Sequence, residues 1–313
     1  MCHRKNIYVK KVNKFFVMKR YILYIVCLLL YLPCTGQVKS YVSLWSEVAE
    51  SSLMTKLDKS AISGGAGFGI GAGYEMSVNR FILSTGLQID VSHTVFRVPD
   101  TESKLSGVYD DEGDLLNYVF MQTNRKDAYT NLSFQLPVMI GTHVNNFYFL
   151  AGAKLSISVL GRSNAKAQIS SAGDYDKFID DFTDMPEHLY YSGMPVTTKS
   201  SVSFRPDVMP SVELGYVFGE YSSEKGFDVP KYKNMYRIAV FADYGLLNRV
   251  SRGTKQSIVL PETFNTEDMS SGVKITDILS TNEITADVHG LTIGIKFTAL
   301  IGLKEKKACV ICR

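Results

Sequence analysis

The sequence predicts an all-β chain that closes into an eight-stranded, antiparallel, up-and-down transmembrane β-barrel with short periplasmic turns and long extracellular loops. Three observations predict it. Eight segments alternate apolar and polar residues with a period of two, which sends successive side chains to opposite faces of a strand. Short connections alternate with long ones, as in barrels of an outer membrane. Aromatic residues gather on the apolar faces near the short-turn ends, where a membrane–water interface would place a girdle.

The first readable element is a processing signal. Met18-Lys19-Arg20 precedes an apolar run from Tyr21 to Leu32 and then Pro33-Cys34-Thr35-Gly36-Gln37. A basic region, an apolar stretch too short to span a bilayer and small residues before a cut describe a secretory signal peptide over residues 1–36. Residues 1–17 are basic and unpatterned, which points to Met18 as the start of translation. A lipid anchor on Cys34 is the weaker alternative, because Pro33 precedes it.

The first strand runs from Val38 to Ser46. The second, Gly65 to Met76, carries Ala66, Phe68, Ile70, Ala72, Tyr74 and Met76 on one face and Gly67, Gly69, Gly71, Gly73 and Glu75 on the other. This glycine run opens no helix and has no following Lys-Ser/Thr, so it does not read as a phosphate loop. Glycines confined to one face make room inside a narrow, curved sheet. A turn at Ser77–Arg80 leads to the third strand, Phe81 to Ser92. A polar, acidic segment from Pro99 to Lys126 then reads as a long loop.

The stretch from Tyr129 to Leu160 is a hairpin. Leu132, Phe134, Leu136, Val138 and Ile140 share one face of its first strand, and a short turn at His143–Asn146 precedes Phe147, Phe149, Ala151, Ala153, Leu155, Ile157 and Val159. A second long, Asp-rich segment covers Gly161 to Ser200. Strands follow at Ser211–Phe218, extending back toward Ser203, and at Tyr236–Leu246, joined by the charged connection Gly219–Asn234. A third long segment, Asn248 to Ala286, precedes the last strand, Leu291 to Leu303. The barrel thus occupies residues 37–303, and residues 304–313 form a periplasmic tail.

The faces opposite the apolar ones carry charge in mid-strand: Glu75, Asp90, Lys154, Glu213, Arg237, Asp243 and Lys296. Both signs are present, as a closed lumen needs if buried charges are to be paired. Eight strands enclose an interior that side chains can just fill, so these groups are expected to form a packed polar plug without an open pore.

The hairpin resembles the outer-membrane β-barrel family that includes the PorT-like proteins of Gram-negative bacteria. The matching residues are Leu132-Ser133-Phe134-Gln135-Leu136-Pro137-Val138-Met139-Ile140, then Phe147-Tyr148-Phe149-Leu150-Ala151-Gly152 after the turn. The resemblance implies an outer-membrane location and, for some members, a part in protein secretion or gliding motility. The chain departs from a barrel ending on an aromatic residue by adding Lys304 to Arg313.

The chain has 313 residues, 45% hydrophobic and 21% charged, with a formal net charge of +3. No dense Lys/Arg stripe interleaved with aromatics appears, which excludes a nucleic-acid partner. His93, His143, His188 and His289 do not combine with a nucleophile and an acid into a recognisable set, so no catalytic residue is assigned. The acidic segments lack a D-x-D-x-D-G calcium pattern, and Cys309 with Cys312 lacks a second ligand pair, so neither a metal nor a cofactor is expected. The expected function is a non-enzymatic outer-membrane anchor or scaffold. Its expected partners are outer-membrane lipid and lipopolysaccharide, the barrel assembly machinery and further envelope proteins. Two alternatives are a lipid- or peptide-hydrolysing barrel and a soluble secreted barrel carrying an apolar ligand.

Overall fold

In the computed structural model the described residues are 38–55, 63–78, 80–109, 115–174, 191–218, 234–251, 253, 255–259, 274–282, 284 and 286–303. The expected signal peptide, Cys309, Cys312, the expected tail from 304, His188 and most of the Gly219–Asn234 connection lie outside them.

Among the described residues twelve strands form: β1 (Val38–Met54), β2 (Ser63–Val78), β3 (Phe81–Arg97), β4 (Thr101–Tyr109), β5 (Leu115–Val144), β6 (Phe147–Asp174), β7 (Tyr191–Ser201), β8 (Asp207–Phe218), β9 (Met235–Tyr244), β10 (Ile258–Val259), β11 (Lys274–Ile275) and β12 (His289–Gly302). Ten belong to one sheet in the order β4-β5-β3-β2-β1-β12-β9-β8-β6-β7, and a β5–β6 pairing joins its two ends. The ring is therefore β1, β2, β3, β5, β6, β8, β9 and β12. Neighbours in the ring are neighbours in the chain, and every pair is antiparallel, which is the expected eight-stranded meander.

Register fixes the shape of the ring. Successive partners run from Leu132 through Val91, Phe68, Val48, Ile295, Val240, Leu214 and Phe149 back to Thr142, ten residues further along β5. With about 3.3 Å of rise per residue and about 4.8 Å between strands, a stagger of ten over eight strands gives a tilt of about 40°. Closure is uneven, because register shifts interrupt β5–β6 between Thr123 and Lys126 and between Leu132 and Ser133. The β5–β6 hairpin turns tightly at the other end, where Asn145 takes a φ of 54°, a left-handed conformation that Asn tolerates.

Two of the expected long loops are corrected. The described residues of the Pro99–Lys126 segment fold as β4 and the start of β5, and those of the Gly161–Ser200 segment continue β6 to Asp174 and add β7. These stretches are polar because one face meets water above the apolar belt, not because they lack strand geometry. Their other face is buried, with Tyr118, Phe120, Ala165, Ala167, Ile169 and Val196 inside. A 30-residue strand at this tilt rises roughly 75 Å, more than twice a bilayer core of about 30 Å, so the hairpin projects well beyond the ring.

The third long segment is corrected too. Its described residues hold the β10–β11 pair and a 3-10 turn at Ile278–Ser280 and fold into the mouth of the ring. There Val250, Ile278, Leu279, Ile284 and Val288 pack with Leu53, Phe96, Tyr129, Val202 and Phe204 from the strands and their extensions.

Candidate functional site

The expected polar faces point inward. Of the predicted charges Glu75, Lys154, Glu213, Arg237, Asp243 and Lys296 are buried in the ring, on strands β2, β6, β8, β9 and β12, Asp90 of β3 is half-buried, and Glu47 of β1 joins the buried set. A strand puts every second side chain on this face, so a mid-strand charge in β6 meets charges from strands across a narrow lumen.

Most of these charges form one network. The Lys154 ammonium lies 2.8 Å from an Asp243 oxygen and 3.4 Å from Glu47. Lys296 lies 3.5 Å from the other Glu47 oxygen and 3.0 Å from Glu213. The Tyr148 hydroxyl donates to Glu213 at 2.5 Å. Gln88 donates to Glu47 at 2.7 Å and accepts from the Trp45 indole at 2.9 Å. Arg237 holds Glu75 with two hydrogen bonds of 2.7 and 2.6 Å, and its guanidinium sits 4.5 Å from the centre of the Tyr148 ring. Each cation thus faces a carboxylate from another strand, as dry burial of charge requires. Glu47, Gln88 and Trp45 complete a network that the sequence reading began from other residues; their inward parity on β1 and β3 was the available signal.

The glycine face of β2 accommodates this filling. A Cβ on Gly71 would enter the Trp45 ring, and one on Gly86 of β3 would lie 2.6 Å from its edge. The predicted role, space inside a narrow barrel, is the observed one at Gly71 and at Gly69, where a Cβ would lie 2.6 Å from the Gln88 amide nitrogen.

Apolar layers close both ends of the charged layer. Toward the short turns lie Tyr41, Ile82, Met139, Leu150, Val217, Met235, Ala239 and Leu300. Toward the mouth lies the cluster built around Phe96, Tyr129, Ile278 and Leu279. Above it, Arg125 bonds Asp127 at 2.9 and 3.2 Å, Gln122 at 3.0 Å, Ser257 at 2.7 Å and the Thr276 carbonyl at 2.5 Å. Asp127 in turn accepts from the Ile278 amide at 2.6 Å, and the Tyr129 hydroxyl bonds Asp277 at 3.1 Å and accepts from the Leu279 amide at 3.1 Å. This second polar network fastens residues 255–259 and 274–281 at the opening. Among the described residues, side chains of the ring strands thus meet across the lumen in a charged layer with an apolar layer on either side.

The outside of the ring is apolar. Phe134, Leu136, Val138 and Ile140 on β5, with Phe149, Leu155, Ile157 and Val159 on β6, are each more than 40% exposed, and every other ring strand shows the same outward row. Outward apolar residues on β6 run from Phe147 to Val159, a height of about 30 Å at this tilt. Near the short turns Tyr74, Phe81, Phe147, Phe218 and Tyr236 are exposed, and Phe147, Tyr216 and Phe218 stack edge to face at 5.3 and 5.1 Å. A continuous apolar belt around a polar, ion-paired interior is the inverse of a water-soluble barrel. The chain is an outer-membrane-type barrel.

No protein-family model matches the chain, and no curated protein matches it. Among solved structures it is similar to Ail, the attachment invasion locus protein of Yersinia pestis, seen with the heparin analogue sucrose octasulfate. That likeness has 12% identity and a TM-score of 0.23, and it covers 84% of this chain and 99% of Ail. It is also similar to the outer membrane protease OmpT from Escherichia coli at 13% identity and a TM-score of 0.22, over 86% of this chain and 96% of OmpT. Superpositions this loose add no argument; the barrel rests on this chain's own strand pairing and exposure.

The histidines do not converge. His93 is exposed on the outer face of β3, as its parity predicts, and its Nδ1 lies 3.0 Å from the Thr130 hydroxyl. His289 lies 3.1 Å from the Gly245 carbonyl and stacks on Tyr244 at 5.8 Å. His143 sits at the opposite end of the ring, near the Asn145 turn. Among the described residues no group of three His, Cys, Asp or Glu side chains could hold a metal ion.

Proposed function

We propose that the protein is a non-enzymatic outer-membrane anchor: a sealed barrel that holds a projecting β-structure on the cell surface for envelope or surface partners. The observation that supports this most is the disposition of chemistry. Ion pairs cross the lumen, which supports a sealed barrel, whereas β4, β5, β6 and β7 build a large ordered surface beyond the apolar belt. The long connections leave the ring on that side and both strand termini of the ring lie on the other, which is the arrangement of periplasmic termini and extracellular loops. A part in protein secretion, as the PorT-like resemblance implies, is the more specific form of this reading.

The test is reconstitution of the full chain in liposomes. We expect resistance to sodium carbonate extraction, heat-modifiable gel migration and no ionic conductance in planar bilayers. Release by carbonate would favour the soluble carrier, and stable conductance would contradict a sealed lumen.

A further inference from the structure

Three of the strands carry directly opposed cations above the apolar belt, six residues past Val91, Leu132 and Leu160. Arg97 of β3 is the register partner of Lys126 of β5, and Lys126 is also the partner of Lys166 of β6. All three side chains point outward and are exposed, and exposed Arg162 and Lys199 flank the row. Like charges placed directly opposite on adjacent strands repel one another. None of these five makes an ion pair among the described residues, although other surface charges do, as Lys104 does with Glu102 at 3.8 Å. The neighbouring carboxylate, Asp100, accepts a hydrogen bond from the Asn124 amide at 3.2 Å. The row therefore concentrates unneutralised positive charge on one side of the barrel.

Its height matters as much as its charge. On β5 the outward residues pass from apolar Leu136, Phe134 and Leu132 to Thr130 and then Lys126; on β6 they pass from Ile157 and Val159 to Arg162 and Lys166. The cations follow the end of the belt on the long-loop side, while the opposite rim is aromatic. We propose that Arg97, Lys126 and Lys166 form a binding site for the phosphate groups of a phosphorylated glycolipid in the outer leaflet. Acyl chains would lie on the apolar belt below while the phosphates neutralise the row above. This rests on the outer-membrane reading given above. Charge complementarity and continuity with the lipid-facing surface select a lipid over a soluble anion, since a free anion gains nothing from the belt.

The experiment uses the full chain refolded in detergent, titrated with bisphosphorylated lipid A and with the same lipid enzymatically dephosphorylated, and read by native mass spectrometry. Wild type should retain the bisphosphorylated form, and R97Q/K126Q/K166Q should weaken that retention by at least about tenfold while leaving the dephosphorylated form unchanged. Heat-modifiable migration of the variant verifies that it folds, and R80Q, on the opposite rim, should leave retention unaltered. Equal retention of both lipids, or of the bisphosphorylated lipid by wild type and triple variant, would overturn the assignment. Displacement by inorganic pyrophosphate at equal concentration would overturn it too, by making the site one for a free anion. A wild-type chain that never becomes heat-modifiable would defeat the barrel reading itself, which is a separate failure.

Discussion

Arg237→Met should be among the most damaging single changes in the barrel. The Arg237 and Glu75 side chains are each 2% exposed and are joined by two hydrogen bonds across the lumen. Removing the guanidinium leaves Glu75 buried without its charge partner, a loss of about 3–5 kcal/mol in dry surroundings. Lost contact with the Tyr148 ring adds up to about 1 kcal/mol. Replacing both partners by apolar residues of similar volume removes the orphaned charge, so Arg237→Met with Glu75→Leu should lie within about 1 kcal/mol of wild type. Glu75→Leu alone orphans the buried Arg237 in the same way, so the double-mutant cycle would show a coupling of at least about 3 kcal/mol between the sites. Urea titration in liposomes, followed by heat-modifiable migration and circular dichroism, measures each corner. A single-variant cost below about 1 kcal/mol would show that water solvates Glu75, and the sealed interior would be wrong.

Three further outcomes check the remaining assignments. Leu136→Arg should cost about 2–4 kcal/mol in the same titration if it lies at the bilayer midplane; if Gln135→Arg instead abolished assembly and Leu136→Arg did not, the faces would be reversed. The single tryptophan, Trp45, points into the lumen and donates to Gln88, so brominated lipids should leave its fluorescence nearly unquenched, and strong quenching would contradict the inward register of β1. Arg125→Met should loosen the cap by breaking its bonds to Asp127, Ser257 and the Thr276 carbonyl. Limited proteolysis within residues 255–281 should then quicken while the ring stays heat-modifiable, and an unchanged rate would show that Arg125 does not fasten the segment.

The ring was legible because period-two alternation is a strong signal when one face is uniformly apolar. Phe134 and Leu136 outside, Gln135 and Lys154 inside, follow from parity alone once the belt is recognised. The upper parts of β5 and β6 were not legible for the same reason. Around Lys126 and Lys166 the outer face meets water, so outward residues turn polar while inward ones such as Asp127, Ser163 and Gln122 are polar as well. Higher up, Tyr118 and Phe120 on β5 and Ala165, Ala167 and Ile169 on β6 put the apolar face inside, the reverse of the belt, and the register shifts break the phase between the two patterns, so these stretches look like polar loops. The cap was invisible for another reason. Arg125 meets Ser257 and Thr276 across more than 130 positions, and no local periodicity encodes that meeting.

The two polar networks differ in what they hold together. Glu47, Lys154, Glu213 and Lys296 lie on four strands of the ring, so their pairing depends on closure and in turn favours the register that brings them into reach. A slip of one residue in β6 would turn Lys154 out to lipid and leave Asp243 unpaired inside, a penalty that no gain on the apolar face could offset. Arg125, by contrast, binds a segment that is not part of the ring, through a cluster placed above the belt. The lower network specifies the barrel, and the upper one fixes what the barrel presents. A partner that engages the projecting β-structure would therefore meet a surface whose geometry is set by Arg125, Asp127 and Tyr129, and changes there should alter partner binding while the ring remains assembled.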